Sequence, residues 1–114
     1  MIDAHPEKIF VAAAGNDNTG SVPYPAGYSS VVAVAATNGS GQKASFSNYG
    51  SRVDISAPGV AILSTAPSST YVFQNGTSMA TPIVASTIGL LLSLGDTNPV
   101  QTIKNTTDTI PSAN

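Results

Sequence analysis

The sequence predicts an α/β fold, a parallel sheet flanked by helices and incomplete at its N-terminal side. Two stretches, residues 9–14 (Ile-Phe-Val-Ala-Ala-Ala) and 31–36 (Val-Val-Ala-Val-Ala-Ala), are apolar without alternation and bounded by Gly, Asn, Ser or Pro. That is the pattern of strands covered on both faces, as in a parallel sheet. A third stretch, 78–94, is apolar nearly all round at helical length, so it reads as a helix buried in the middle of a larger structure.

The remaining elements follow in order. The alanines of the first two strands let helices or loops approach closely. Residues 53–56 (Val-Asp-Ile-Ser) are a weaker strand, followed by a turn at Ala57-Pro58-Gly59 and another short strand at 60–63. Residues 71–74 form one arm of a hairpin. Pro82 falls within the first turn or so of the long helix, where a missing N–H costs little. Asn98-Pro99 reads as an N-cap and a first-position proline, opening a short helix to about Asn105. The tail from Thr106 is expected to be loose. No internal repeat or low-complexity tract is present.

A chain of 114 residues, 41% hydrophobic, is enough for one domain or a piece of a larger one. Four basic residues against six acidic ones give a net charge of -2 with no basic patch, which argues against nucleic acid as a partner. The absence of cysteine excludes disulfides, a thiolate nucleophile and thiolate metal sites, and the single histidine, His5, excludes a histidine metal cluster. The first residues lack the basic-then-apolar pattern of a secretory signal. The longest apolar run, 83–94, is broken by Ser86, Thr87, Gly89 and Ser93 and is too short to span a bilayer, so no membrane is expected to be involved.

Chemistry concentrates in Gly76-Thr77-Ser78-Met79-Ala80-Thr81-Pro82, between a strand and a strongly apolar helix. A serine at a helix start presents its hydroxyl outward, and its own N–H is one of the donors that a helix N-terminus leaves free. An attacking oxygen and a donor for the resulting oxyanion therefore share one residue. Taken alone, Ser before an apolar run is an ordinary N-cap. A second segment, Ala12-Ala13-Ala14-Gly15-Asn16-Asp17, changes the balance. It puts a carboxamide just past the end of a buried strand, where open α/β sheets place ligand-contacting groups. An uncharged amide donor suits an oxygen that becomes anionic only in the transition state.

Together these residues resemble the subtilisin-like serine peptidases, the subtilases, over roughly residues 9–105. Further segments are similar to the family: Tyr24-Pro25-Ala26, Val31-Val32-Ala33-Val34, Ala44-Ser45-Phe46-Ser47-Asn48-Tyr49-Gly50 and Ala57-Pro58-Gly59-Val60. The resemblance implies that Ser78 is the nucleophile and Asn16 the oxyanion donor. It also implies that Ala13, Ala14 and Gly15 wall the pocket for the substrate residue before the scissile bond, with room for a sizeable apolar group. By the same resemblance Tyr24-Pro25 is a cis peptide, and carbonyls near Ala26, Tyr28 and Val31 hold a weak cation. Ile83 and Ser86 depart from the family's Pro-His-Val-Ala-Gly pattern. That His is not the catalytic base, so slightly altered packing and unchanged chemistry are expected.

The resemblance makes residues 1–114 the C-terminal portion of a catalytic domain acting on polypeptides. A serine hydroxyl needs a base within hydrogen-bond reach. His5 stands eleven residues before Asn16 and next to Pro6 and Glu7, without the family's setting for the base, and Asp3 and Asp17 lack the setting of its orienting acid. The isolated chain is therefore expected to be inactive, marginally stable or prone to associate, and to need a missing N-terminal half as partner. No cofactor is expected; calcium is common among subtilases, but no acidic cluster here provides a strong site. Secretion of the full-length protein is the family's usual location. A non-catalytic, peptide-binding or regulatory relative is the alternative. A surface β-protein rich in Ser, Thr and Gly would show alternating strands instead.

Overall fold

The two continuous apolar runs form adjacent parallel strands in the computed structural model of the chain, which describes residues 1–110. A 3₁₀ turn at Ile2–Ala4 leads into β1 (Phe10–Ala13), followed by β2 (Val31–Thr37) and β3 (Ile55–Pro58). These make one sheet in the order β1-β2-β3, all parallel, with Phe10 opposite Val31 and Val34 opposite Ile55. Every residue of β2 is buried, the behaviour expected of a strand without alternation.

The third strand starts two residues later than the sequence suggests, and the side chain of Asp54 explains the delay. Its carboxylate accepts hydrogen bonds from the Ala33 N–H (2.8 Å), Arg52 Nη1 (2.9 Å) and Lys104 Nζ (3.3 Å). Pro58, expected in a turn, is the last residue of β3, opposite Thr37. A hairpin follows: β4 (Ile62–Ala66) pairs antiparallel with β5 (Thr70–Gln74).

The long helix α1 (Thr77–Ser93) is N-capped by Gly76 and begins one residue earlier than expected. Pro82 is its sixth residue, early in the second turn, so the Ser78 carbonyl loses its i+4 donor. Thr77, Ala80, Val84 and Ile88 form one buried stripe. The last three pack against Val32, Val34, Ala36, Ala44 and Ala57, the core of the structure. The expected burial all round the helix is not met within this chain. Ile83, Leu90, Leu92 and Leu94 are 38%, 65%, 49% and 82% exposed, because the sheet offers α1 only one face. Ser86 crowds nothing: it is exposed, and its hydroxyl donates to the Pro82 carbonyl (2.7 Å).

Helix α2 (Pro99–Thr106) opens on Asn98-Pro99 as expected, although the Asn98 side chain makes no capping bond. The Asp96 carboxylate accepts the Asn98 N–H instead (2.8 Å). Val100 and Ile103 pack α2 against the core. Residues Thr107 to Ile110 form no helix or strand; the rest of the tail expected to be loose, 111–114, lies outside the described residues. The Tyr24-Pro25 peptide is cis, as the resemblance implies.

The expected weak cation among the carbonyls near Ala26, Tyr28 and Val31 is a correction. The Tyr28 and Val31 carbonyls accept from Arg52 Nη2, and Gly27 O accepts from Nε (3.3 Å). Arg52 and Lys104 leave a signature in Asp54. Burial pushes its carboxyl up, but the Ala33 N–H and the two cations outweigh that and hold it below the ordinary 3.8. A folded-state value below the unfolded one stabilises above the unfolded pKa and is lost as pH falls through the folded one. Urea midpoints are therefore expected to drop on acidification below about pH 4, and Asp54→Asn should flatten that drop while lowering the midpoint at neutral pH.

Candidate active site

The C-terminal ends of β1, β2 and β3 support two loops that meet. Beyond β1, the Ala14 N–H still bonds Val34 O (2.8 Å), and the chain then turns at Gly15 with φ +107°. A β-carbon here would lie 2.4 Å from Asn48 Nδ2, so the position requires glycine on both counts. Beyond β3, Gly59 O accepts the Gly76 N–H (2.8 Å). A β-carbon on Gly59 would sit 2.6 Å from Ala36 Cβ and 2.7 Å from Gly76 O. That close approach sets the first turn of α1 against the sheet.

Thr77 joins the two loops. It is fully buried, and both its N–H and its hydroxyl donate to Asn16 Oδ1 (2.9 Å each) while the hydroxyl accepts the Gly15 N–H (3.2 Å). With Oδ1 engaged twice, the Asn16 carboxamide is fixed in one orientation and Nδ2 is left to face outward. The Ser78 N–H has no partner among the described residues, as expected near the start of a helix. This nitrogen and Asn16 Nδ2 lie 3.6 and 3.8 Å from the place a β-carbon on Gly76 would occupy. Two N–H donors thus lie near one point, with Met79 Sδ 3.4 Å from it. Both Ser78 and Asn16 are exposed, so solvent reaches them. Ala13 and Gly15 are half-buried and Ala14 is buried, making the start of a small-residue wall next to Asn16.

His5 is at the other end of the sheet. It precedes β1, is exposed, and sits 3.4 Å from a Glu7 carboxylate oxygen, whereas Asn16 follows the end of β1. The strand between them is about 13 Å long, well outside hydrogen-bond reach.

Two supporting residues were not singled out in the sequence. Thr77 lay inside the quoted motif, but its hydroxyl has no role until Asn16 is beside it. Asn48, fully buried, uses its whole amide. Nδ2 donates to Ala14 O (2.9 Å) and Ser21 O (3.1 Å), and Oδ1 accepts the N–H groups of Asp17 (2.9 Å) and Thr19 (3.2 Å). It clamps the backbone on both sides of Asn16. Asn48→Leu is expected to strand these groups and cost about 3 kcal/mol, read from urea midpoints.

Ligand sites of open α/β sheets lie at the carboxyl ends of the strands, and a serine hydroxyl near oriented N–H donors is the kind of group set that acyl transfer requires. The chain belongs to the subtilase family, peptidase family S8, whose sequence model matches residues 2–110. It is 52% identical to thermitase of Thermoactinomyces vulgaris over 104 residues, covering 90% of this chain and 37% of thermitase. It is 53% identical to subtilisin Savinase of Lederbergia lenta over 83 residues, 73% of this chain and 31% of that protein. The chain thus spans about a third of the length of these curated relatives. Among solved structures, a protease of Pseudoalteromonas arctica superposes with TM-score 0.90 at 32% identity, over 98% of this chain and 41% of its own. A prenylagaramide maturation protease superposes with TM-score 0.81 at 31% identity, over 99% and 46%. No helix among the described residues is long and apolar enough to cross a membrane.

Proposed function

We propose that residues 1–114 are the C-terminal portion of the catalytic domain of a subtilisin-like serine endopeptidase, with Ser78 as nucleophile and Asn16 as oxyanion donor. Ser78 Oγ attacks the carbonyl carbon of a peptide bond while a base takes its proton. The carbonyl oxygen becomes an oxyanion between Asn16 Nδ2 and the Ser78 N–H; collapse breaks the C–N bond as the base returns its proton to the leaving amine, leaving an acyl group on Ser78, and water, deprotonated by the same base, then releases the acid and restores the hydroxyl. Ala13, Ala14 and Gly15 wall the pocket for the residue before the scissile bond. The observation that carries this reading is the fixed Asn16 carboxamide beside the free N–H of Ser78.

The base and its orienting acid come from polypeptide outside this chain, the N-terminal half of the domain. Its place is supported by the exposed leucines of α1 and by the outer edge of β1, which among the described residues pairs only with β2. The reaction as proposed uses side-chain and backbone groups only, with no cofactor. The whole protein is proposed to act on polypeptides outside the cell, on the family resemblance alone.

A fluorophosphonate probe tests the assignment. Labelling should appear on Ser78 when the chain is combined with the N-terminal half and be absent after Ser78→Ala. An assembled pair that stays unlabelled would leave only a peptide-binding relative.

A further inference from the structure

Arg52 stands between β2 and β3 with four of its five N–H groups spent on oxygen. Nε donates to Gly27 O, Nη2 to Tyr28 O and Val31 O, and Nη1 to Asp54 Oδ2. Three backbone carbonyls and one carboxylate thus converge on a single positive group whose side chain is only 26% exposed. Neutral carbonyls with one carboxylate are the donor set of a hard cation. A dissolved ion does not fit here, because the guanidinium fills the space between the oxygens and would repel it.

We propose that Arg52 is the resident cation of the 27–31 loop, so that the chain takes up no dissolved metal ion there, and that trimming Arg52 uncovers a site for a small oxygen-liganded cation. Once the side chain is shortened, the Gly27, Tyr28 and Val31 carbonyls remain positioned by the backbone: Val31 opens β2, and its N–H still donates to Tyr28 O (3.1 Å). Asp54 is still held by the Ala33 N–H and Lys104. The oxygens then lack their positive centre, a deficit that a calcium or sodium ion can make good and that Lys104, reaching the other carboxylate oxygen, cannot. The loop also carries Tyr28, whose ring centroid is 4.4 Å from that of Tyr24 just before the loop, so a lanthanide bound at the Tyr28 carbonyl has an aromatic sensitiser on the same residue.

The test titrates the full chain, as wild type, Arg52→Ala and Arg52→Lys, with terbium(III) and reads tyrosine-sensitised emission, with millimolar calcium chloride or sodium chloride as competitor. Wild type and Arg52→Lys are expected to give no saturable emission. Arg52→Ala should gain saturable emission that calcium displaces and that millimolar guanidinium ion also displaces. Its lowered urea midpoint should recover on adding calcium, with no change in the wild type. Saturable, calcium-competed emission from the wild type or from Arg52→Lys overturns the proposal, as does a folded Arg52→Ala chain that binds neither ion. Where Arg52→Ala does not fold without added ions, folding restored by calcium or guanidinium supports the proposal, and failure of both to restore it counts against it.

Discussion

Supplying an N-terminal half that bears the catalytic histidine is expected to raise peptide hydrolysis by this chain about a million-fold over the chain alone, a magnitude carried over from loss of the base in subtilisin itself. The physical reason is reach. A serine hydroxyl is a weak nucleophile until a base accepts its proton, and the one histidine here lies before β1 while Ser78 sits past the far end of the sheet. Rates on a chromogenic peptide anilide, with the chain alone, with its complement and with Ser78→Ala in the complemented form, measure the difference. Comparable hydrolysis by the chain alone and by the pair would refute the assignment of the base to another segment. The same rate in the Ser78→Ala pair would refute Ser78.

The second large effect concerns the oxyanion. In the assembled enzyme, Asn16→Leu is expected to lower kcat on the order of a hundred- to a thousand-fold with KM little changed, again the size known for the oxyanion asparagine of subtilisin. Thr77→Val is the more searching variant, since it keeps the shape and the N–H but removes the hydroxyl that holds Asn16 Oδ1 and receives the Gly15 N–H. A loss of about ten-fold in kcat is expected, because the carboxamide is held by one bond in place of two. If Thr77 acts through Asn16, the double variant should be no slower than Asn16→Leu alone. Full additivity of the two losses would show that Thr77 acts by another route.

Much of this was legible along the chain, for reasons that differ by element. Residues 31–36 read correctly because a strand buried on both faces has no polar side to disguise it, and β2 is buried throughout; residues 9–14 also hold a strand, but the expected cover on both faces is not met within this chain, where every residue of β1 is only half-buried. The positions of Ser78 in a strand-to-helix turn and of Asn16 past a strand end were legible from the Gly, Thr and Ala around them. Helix α1 was only half legible. Its apolar circumference states what the helix is built to meet, and within this chain just the stripe from Thr77 to Ile88 is covered. Asn48 and Arg52 were opaque for a shared reason. A polar residue in a loop reads as solvated, yet Asn48 is fully buried with all four amide positions used, and Arg52 reaches back more than twenty residues to Tyr28 and Val31. Such roles depend on which loops the sheet register brings together, and no local pattern encodes that.

The Thr77 bridge to Asn16 lies entirely inside this chain, joining residues 61 apart without help from any other polypeptide. On the function proposed above, the receptor for the developing negative charge is held by this chain's own residues while its proton acceptor comes from elsewhere, and the two capabilities are physically severable. This makes the chain a natural constant component for a two-piece reporter, in which turnover signals only that the pieces have come together.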